Sequence, residues 1–241
     1  MTFDSDIICL QEIWHHSDML NFFREGVCRT RSNESGGGVI TCFNNILRCD
    51  KNWEIAEDSL KLKLIYKNHI PIFLINVYPS PIDPLRTILN SIFALLPQYL
   101  LLYIIIIGDW NVNFNSDSSD KKSLIKVIQA LHLQIFLPPE STRKEATLDF
   151  LVCGSNFNLI KTETFDSPSD HKIVSYHLNI KSTNTSVTPL IPNAILGKEL
   201  TINSLKCSKN AWEFLTNYNL TVSVNSSRSK ITPKNEFSSM N

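Results

Sequence analysis

The feature that most restricts the fold is an apolar run over residues 99–107 that ends in consecutive isoleucines and stops at Gly108-Asp109. Successive β-branched residues favour extended backbone, and a strand that is apolar at every position must be covered on both faces. The run is about half as long as a bilayer-spanning helix requires, so it predicts a buried strand in a layered domain and not a membrane anchor. Composition allows for such layers: 43% of the 241 residues are hydrophobic, enough for one large α/β domain or two small ones.

Further strand-like runs lie at residues 7–10, 38–43, 60–66, 72–77, 148–153 and 172–180. Leu60, Leu62, Leu64 and Tyr66 alternate with Lys61, Lys63 and Ile65, which predicts a strand with one strongly apolar face lying toward a sheet edge. Helices are expected where Ser17 can cap a segment carrying Met19, Leu20, Phe22 and Phe23, and where Asp83-Pro84 opens one carrying Leu85, Ile88, Leu89, Ile92 and Phe93. A third is expected over residues 121–131, where Leu124, Ile125, Val127, Ile128 and Leu131 form a stripe at helical spacing. Strands in adjacent runs, broken by helices at irregular intervals, point to packed sheets with outer helices. Beyond Ile180, Ser, Thr and Asn dominate and resist forming a core. The domain is therefore expected to span residues 1–181, followed by a polar tail or linker over 182–241. One island at residues 205–220, with Trp212 and Phe214, reads as a short docking helix.

Lys+Arg and Asp+Glu are both 23, so affinity for nucleic acid would have to come from a local patch. The six cysteines include no C-x-x-C pair, which argues against structural zinc, and the first residues lack the pattern of a secretory signal, which favours an intracellular setting.

Polar groups stand against several strand ends, where ligand sites gather in α/β sheets. Glu12 follows the first run, Tyr78 follows residues 72–77, Asp109 and Asn111 follow the isoleucines, Asp149 lies within residues 148–153, and Asp170-His171 precede Ile173. Taken singly, most read equally well as turn or cap residues, and His15-His16 read as a solvated loop. Asp149 differs, because a carboxylate buried in an apolar strand costs on the order of several kcal/mol without a partner. Together, Glu12, Asp109, Asn111, Asp149 and Asp170 offer oxygen ligands without thiolates, which suits Mg²⁺ or Mn²⁺, and His171 adds a group that titrates near neutral pH.

The stretches Ile8-Cys9-Leu10-Gln11-Glu12, Asn76-Val77-Tyr78 with Pro81, Gly108-Asp109-Trp110-Asn111, Thr147-Leu148-Asp149-Phe150 and Ser169-Asp170-His171 occur in the order of the motifs of the endonuclease/exonuclease/phosphatase superfamily. The chain resembles that deoxyribonuclease-I-like superfamily over residues 6–180. Its compact spacing and Ser/Thr-rich tail look most like the endonuclease of a non-LTR retrotransposon, upstream of a reverse transcriptase that this sequence does not contain. The resemblance implies an α/β fold, a four-layer αββα sandwich of two packed, mostly antiparallel sheets flanked by helices, with the site at one end of the sheets. It implies that Glu12 ligates Mg²⁺ or Mn²⁺ with Asp170 near the same phosphate, that His171 contacts the scissile phosphate, and that Asp149 accepts a hydrogen bond from its imidazole. Asp109 would orient or deprotonate the attacking water, while Asn111 and Tyr78 would donate to phosphate oxygens. Arg143 and Lys144 are the expected contacts to the DNA backbone.

In that superfamily a further strand, ending in an Asn of the metal-site network, precedes the Leu-Gln-Glu strand. The short segment before Glu12 does not supply it, so the first strand is expected to be missing, with an exposed sheet edge, a loosened Glu12 and impaired activity. The implied function is a metal-dependent endonuclease that nicks target DNA in retrotransposition, intracellular and nuclear, with no membrane and no small-molecule cofactor. Two alternatives stay open. One is a phosphatase or phosphodiesterase of the same superfamily, although the Arg expected soon after Gly-Asp-x-Asn in inositol phosphatases is missing; the other is a non-catalytic retrotransposon relic.

Overall fold

A computed structural model describes residues 5–13, 26–30, 37–50, 55–56, 59–66, 71–79, 89, 103–181 and 198–206. In chain order the strands before the isoleucine run are β1 (Ile7–Gln11), β2 (Gly26–Thr30), β3 (Gly38–Phe43), β4 (Leu47–Asp50), β5 (Ile55–Ala56), β6 (Ser59–Tyr66) and β7 (Pro71–Val77). The run itself forms β8 (Ile104–Asp109), followed by helix α1 (Ser119–Ala130), β9 (Gln134–Phe136), β10 (Asp149–Cys153), β11 (Phe157–Phe165), β12 (Ile173–Ile180) and β13 (Lys198–Lys206).

The strands form two sheets, one ordered β11-β12-β13-β1-β3-β2 and the other β4-β6-β7-β8-β10-β9, with β5 added beside β6. Among the described strands only β1 with β13 and β7 with β8 pair in parallel; the other pairings are antiparallel. Alternation along β8 shows why every isoleucine is buried. Ile105 and Ile107 point into the core between the sheets with Leu74, Leu151, Tyr176 and Ile202. Ile104 and Ile106 point outward to a second core with Trp110, Phe150, Leu124 and Ile128, the last two from α1. The Ser118 side chain caps α1 by accepting the Lys121 N–H at 3.1 Å, so the helix begins two residues before the apolar stripe suggests. Among the described residues no helix is long and apolar enough to cross a membrane. The expected helices opening at Ser17 and Asp83 lie outside the described residues, as do positions 207–220 of the expected docking helix.

Residues 60–66 lie toward a sheet edge, as expected, with β6 one strand in beside β4, whose Leu-Arg-Cys-Asp sequence has too little apolar pattern to announce a strand. The difference is at β13. Residues 198–206 lie beyond the expected domain limit at Lys181, yet they run between β12 and β1, antiparallel to the first and parallel to the second. Leu200 and Ile202 are fully buried between the sheets, each stabilising by about 2–3 kcal/mol. Asp6 fastens the arrangement: its N–H donates to the Thr201 carbonyl at 3.0 Å, and its carboxylate accepts the Thr201 N–H at 2.9 Å and the Asn44 amide at 2.7 Å. The exposed edge expected beside β1 is therefore covered, by a strand from later in the chain.

Candidate active site

Two carboxylates face each other across β8 and β10. Asp109 and Asp149 are register partners, and by strand parity both point the same way as Ile107 and Leu151, into the space between the sheets at its end. Like charges directly opposite on a sheet repel, and both groups are buried, so a cationic or hydrogen-bonding partner is needed. It comes from the other sheet. His171, just ahead of β12, places Nδ1 2.7 Å from Asp149 Oδ2, where the imidazole N–H donates to the carboxylate. The opposite ring nitrogen, Nε2, is buried with no hydrogen-bond partner among the described residues. Asp109, Asp149 and His171 each offer one ligand atom within 4.8 Å of the others, a group able to hold a cation.

Backbone details hold the wall of carboxylates. Gly108 has φ +141°, and a Cβ there would lie 2.1 Å from the Val77 carbonyl oxygen on the parallel neighbour β7, so only glycine lets the strands approach. Asp109 Oδ1 accepts the Asn111 N–H at 2.9 Å. Asn111 takes a left-handed conformation, φ 51°, and its amide donates to the Pro79 carbonyl at 2.8 Å. Asn111 thus ties its loop to the segment after β7, which also carries the buried Tyr78. On the outer face, Trp110 stacks on Phe150 at 4.9 Å and donates its indole N–H to the Phe150 carbonyl, locking the two strand ends together.

Glu12 reaches the same end by a different route. Gln11 Nε2 donates to Asn76 Oδ1 at 2.7 Å across the sheets, and Asn76 is registered with Ile107, two residues before Asp109. Asn76 in turn donates to the carbonyls of Leu10 and Ile40, and Ser204 of β13 donates to Gln11 Oε1 at 3.4 Å. This fully buried bridge pins the end of β1 to the end of β7, and Glu12 follows it in a left-handed conformation, φ 56°, that a residue with a side chain seldom adopts.

Asp170 and Arg143 turn toward each other. Arg143 Nε lies 2.7 Å from Asp170 Oδ2 in a half-exposed ion pair, flanked by a second pair between Lys172 and Glu140. That Lys172–Glu140 pairing holds the Glu140 carboxyl below and the Lys172 amine above their ordinary ranges. Glu12 and Asp170, the expected metal ligands, are outside the Asp109, Asp149 and His171 group. Lys144 is exposed at the tip of its turn, and Arg143 is engaged with Asp170. Behind the pair, burial pushes the Tyr176 hydroxyl well above the ordinary tyrosine range, and the Asp149 charge adds to the rise.

Gln11, Asn76 and Ser169 belong to the motif stretches but carry no expected role, and Thr142 and Ser167 stand outside them. A signal existed for Asn76, an amide inside an apolar strand that has to find partners. Ser167 and Ser169 both donate to the His171 carbonyl, at 2.5 and 2.9 Å, and fix its backbone.

Residues 72–175 match the family described as endonuclease-reverse transcriptase. No curated protein sequence matches the chain significantly. Among solved structures, the endonuclease domain of TRAS1, a telomere-specific non-LTR retrotransposon, superposes with a TM-score of 0.57 at 17% identity, covering 73% of this chain and 85% of that one. An endonuclease/exonuclease/phosphatase protein from Bacteroides vulgatus gives 0.57 at 14% identity, covering 73% and 85%. The Bacteroides thetaiotaomicron mannosyl-6-phosphatase gives 0.52 at 14%, covering 72% and 85%. With its paired sheets and this family match, the chain has the endonuclease/exonuclease/phosphatase fold and, within it, resembles the endonucleases of non-LTR retrotransposons.

Proposed function

We propose that this chain is a divalent-metal-dependent phosphodiester hydrolase that nicks DNA, acting in the nucleus during retrotransposition. The observation that carries this reading is the Asp149–His171 pair, whose buried Nε2 has no hydrogen-bond partner among the described residues and which forms one cluster with the Asp109 carboxylate. A polar atom buried that way leaves a place for a polar substrate atom, and a phosphate oxygen fits it.

The donor set fits a hard dication. Asp109 and Asp149 supply buried carboxylates, Glu12 follows at the same end, and no thiolate joins the group. We assign Glu12 to hold Mg²⁺ or Mn²⁺, with Asp170 lending negative charge from the rim. When bound, such an ion neutralises the phosphodiester and stabilises the leaving oxygen.

The protein's own groups account for the rest. Asp149 holds the His171 ring through its Nδ1–H, and in the doubly protonated ring Nε2–H would donate to a phosphate oxygen as charge builds there. Asp109, fixed by the Asn111 N–H, orients the attacking water and takes its proton. Tyr78 and the remaining amide hydrogen of Asn111 line the approach to the phosphate, and exposed Lys144 meets the DNA backbone.

The test is conversion of supercoiled plasmid to open circles by the purified protein with Mg²⁺. Nicking that stops with a chelator and with His171→Ala supports the reading. Turnover of a soluble phosphomonoester without nicking would replace it with a phosphatase, and neither activity in folded protein would leave a non-catalytic relic.

A further inference from the structure

We infer that Thr142 is a positioning residue that holds the Asp149–His171 pair in register; this deepens, and rests on, the hydrolase reading above. Thr142 is fully buried in the loop between β9 and β10 and bonds to the backbone of Asp149 and of Lys172, the residue after His171. Its Oγ1 accepts the N–H of Leu148 at 3.0 Å and of Asp149 at 3.2 Å. Its carbonyl accepts the N–H of Lys172, the residue after His171, at 2.7 Å. A closed circuit results: Asp149 N–H to the Thr142 hydroxyl, Thr142 carbonyl to the Lys172 N–H, and the His171 ring back to the Asp149 carboxylate.

The need for a side-chain acceptor follows from the sheet. β9 pairs with β10 only from Leu151 to Cys153, so the start of β10 runs past the end of its neighbour. The N–H of Asp149 on that side has no strand to receive it, and Thr142 Oγ1 takes the place of the missing carbonyl. Thr142 is itself immobilised, because its N–H and that of Arg143 both donate to the Ala146 carbonyl at 3.0 Å, while the Ala146 N–H returns to Arg143 at 2.8 Å. The turn this makes places Lys144 in a left-handed conformation, φ 51°. Arg143–Asp170 and Glu140–Lys172 lie on the solvent side of the same two loops. Half-exposed pairs of this kind add little by themselves. The buried hydroxyl is the rigid element.

A hydrogen-bonded catalytic pair displaced by about 1 Å can lose on the order of 10²-fold in rate. The full chain is compared with Thr142→Val, which keeps the shape and removes the acceptor, and with Thr142→Ser, which keeps the acceptor. Two readouts are taken: Mg²⁺-dependent plasmid nicking, and the downfield proton resonance of the His171 Nδ1–H in metal-free protein, assigned by its loss in His171→Ala. The expected result is that folded Thr142→Val shifts or loses that resonance and drops kcat by about 10²-fold with little change in KM. Thr142→Ser should restore the resonance and nicking to within about threefold of the parent. If Thr142→Val does not fold, Thr142→Cys, with a weak sulfur acceptor, takes its place and should give a smaller shift and loss. A folded acceptor-free variant with the parent resonance and parent kcat overturns the inference. If no variant nicks DNA yet the resonance still follows the acceptor, Thr142 keeps its positioning role and only the hydrolase reading falls.

Discussion

The two sheets reach the site in opposite ways. In the seven-stranded sheet, β6, β7 and β8 are neighbours in both chain and space, and the carboxylates Asp109 and Asp149 sit opposite each other on adjacent strands. In the six-stranded sheet, β1 lies beside β13 and β12 reaches β1 only through it, so Glu12 and His171 are aligned by a strand far away in sequence. One wall of the site is assembled from successive segments, whereas the other depends on a strand inserted between distant ones. Such a wall carries the higher cost of loop closure and the greater sensitivity to truncation.

Ending the chain at Lys181 is the most direct way to break that contrast. It removes β13, splits the first sheet into β11-β12 and β1-β3-β2, and uncovers core surface worth a large part of a typical stability of about 5–15 kcal/mol. We expect no cooperative thermal transition by circular dichroism; a truncated protein that melts like the full chain would show that β13 is dispensable. Next comes Gly108→Ala, which strikes the sheet built from successive strands. With its Cβ forced against the Val77 carbonyl and φ at +141°, we expect a loss of about 3 kcal/mol or more in urea unfolding.

Asp109→Asn separates stability from activity within that same sheet. It relieves the repulsion with Asp149, so we expect a gain of up to about 1 kcal/mol in unfolding free energy. Nicking should fall by about 10²–10³-fold, since the water loses its proton acceptor. A variant both less stable and fully active would place Asp109 outside the chemistry.

An effect confined to alkaline pH compares the sheets through their buried thiols, Cys9 in one and Cys153 in the other. Burial pushes both up to about 12 from an ordinary 9.0. The unfolded chain therefore ionises first, and stability is present below pH 9 and falls as pH rises from 9 toward 12, by at most about 1.4 kcal/mol per pH unit for each thiol. Cys9→Ala and Cys153→Ala should each flatten the alkaline decline seen in denaturant titrations at pH 8 and 10.5, and unchanged slopes would show that the thiols stay protonated in both states.

Much of this was legible in the sequence. The strand-like runs at residues 7–10, 38–43, 60–66, 72–77, 148–153 and 172–180 and the isoleucines before Gly108 all form strands, and Asp109, Asp149 and His171 come together at one end of the sheets. The Asp149 carboxylate found its partner in His171, as burial in an apolar strand demands. What stayed hidden depended on pairing. β13 reads as polar tail because Lys198, Glu199, Thr201, Asn203 and Ser204 hide Leu200 and Ile202, and Ser204 and Asn203 find partners only once Gln11 and Ser5 are beside them. β11 was missed because its sequence is mostly polar, with half-exposed positions along one face. Thr142 carries no sequence signal, since nothing in a linear chain says that β9 stops short of Asp149. The ion pair of Arg143 with Asp170 is not legible in the chain either, because the two lie on separate loops.

The place of β13 also governs when the domain can come into being. During translation the side of β1 that β13 covers stays open until Lys206 has been made, while the other described strands are synthesised. Closing that gap therefore follows the making of the strands that lie between β1 and β13 in the chain.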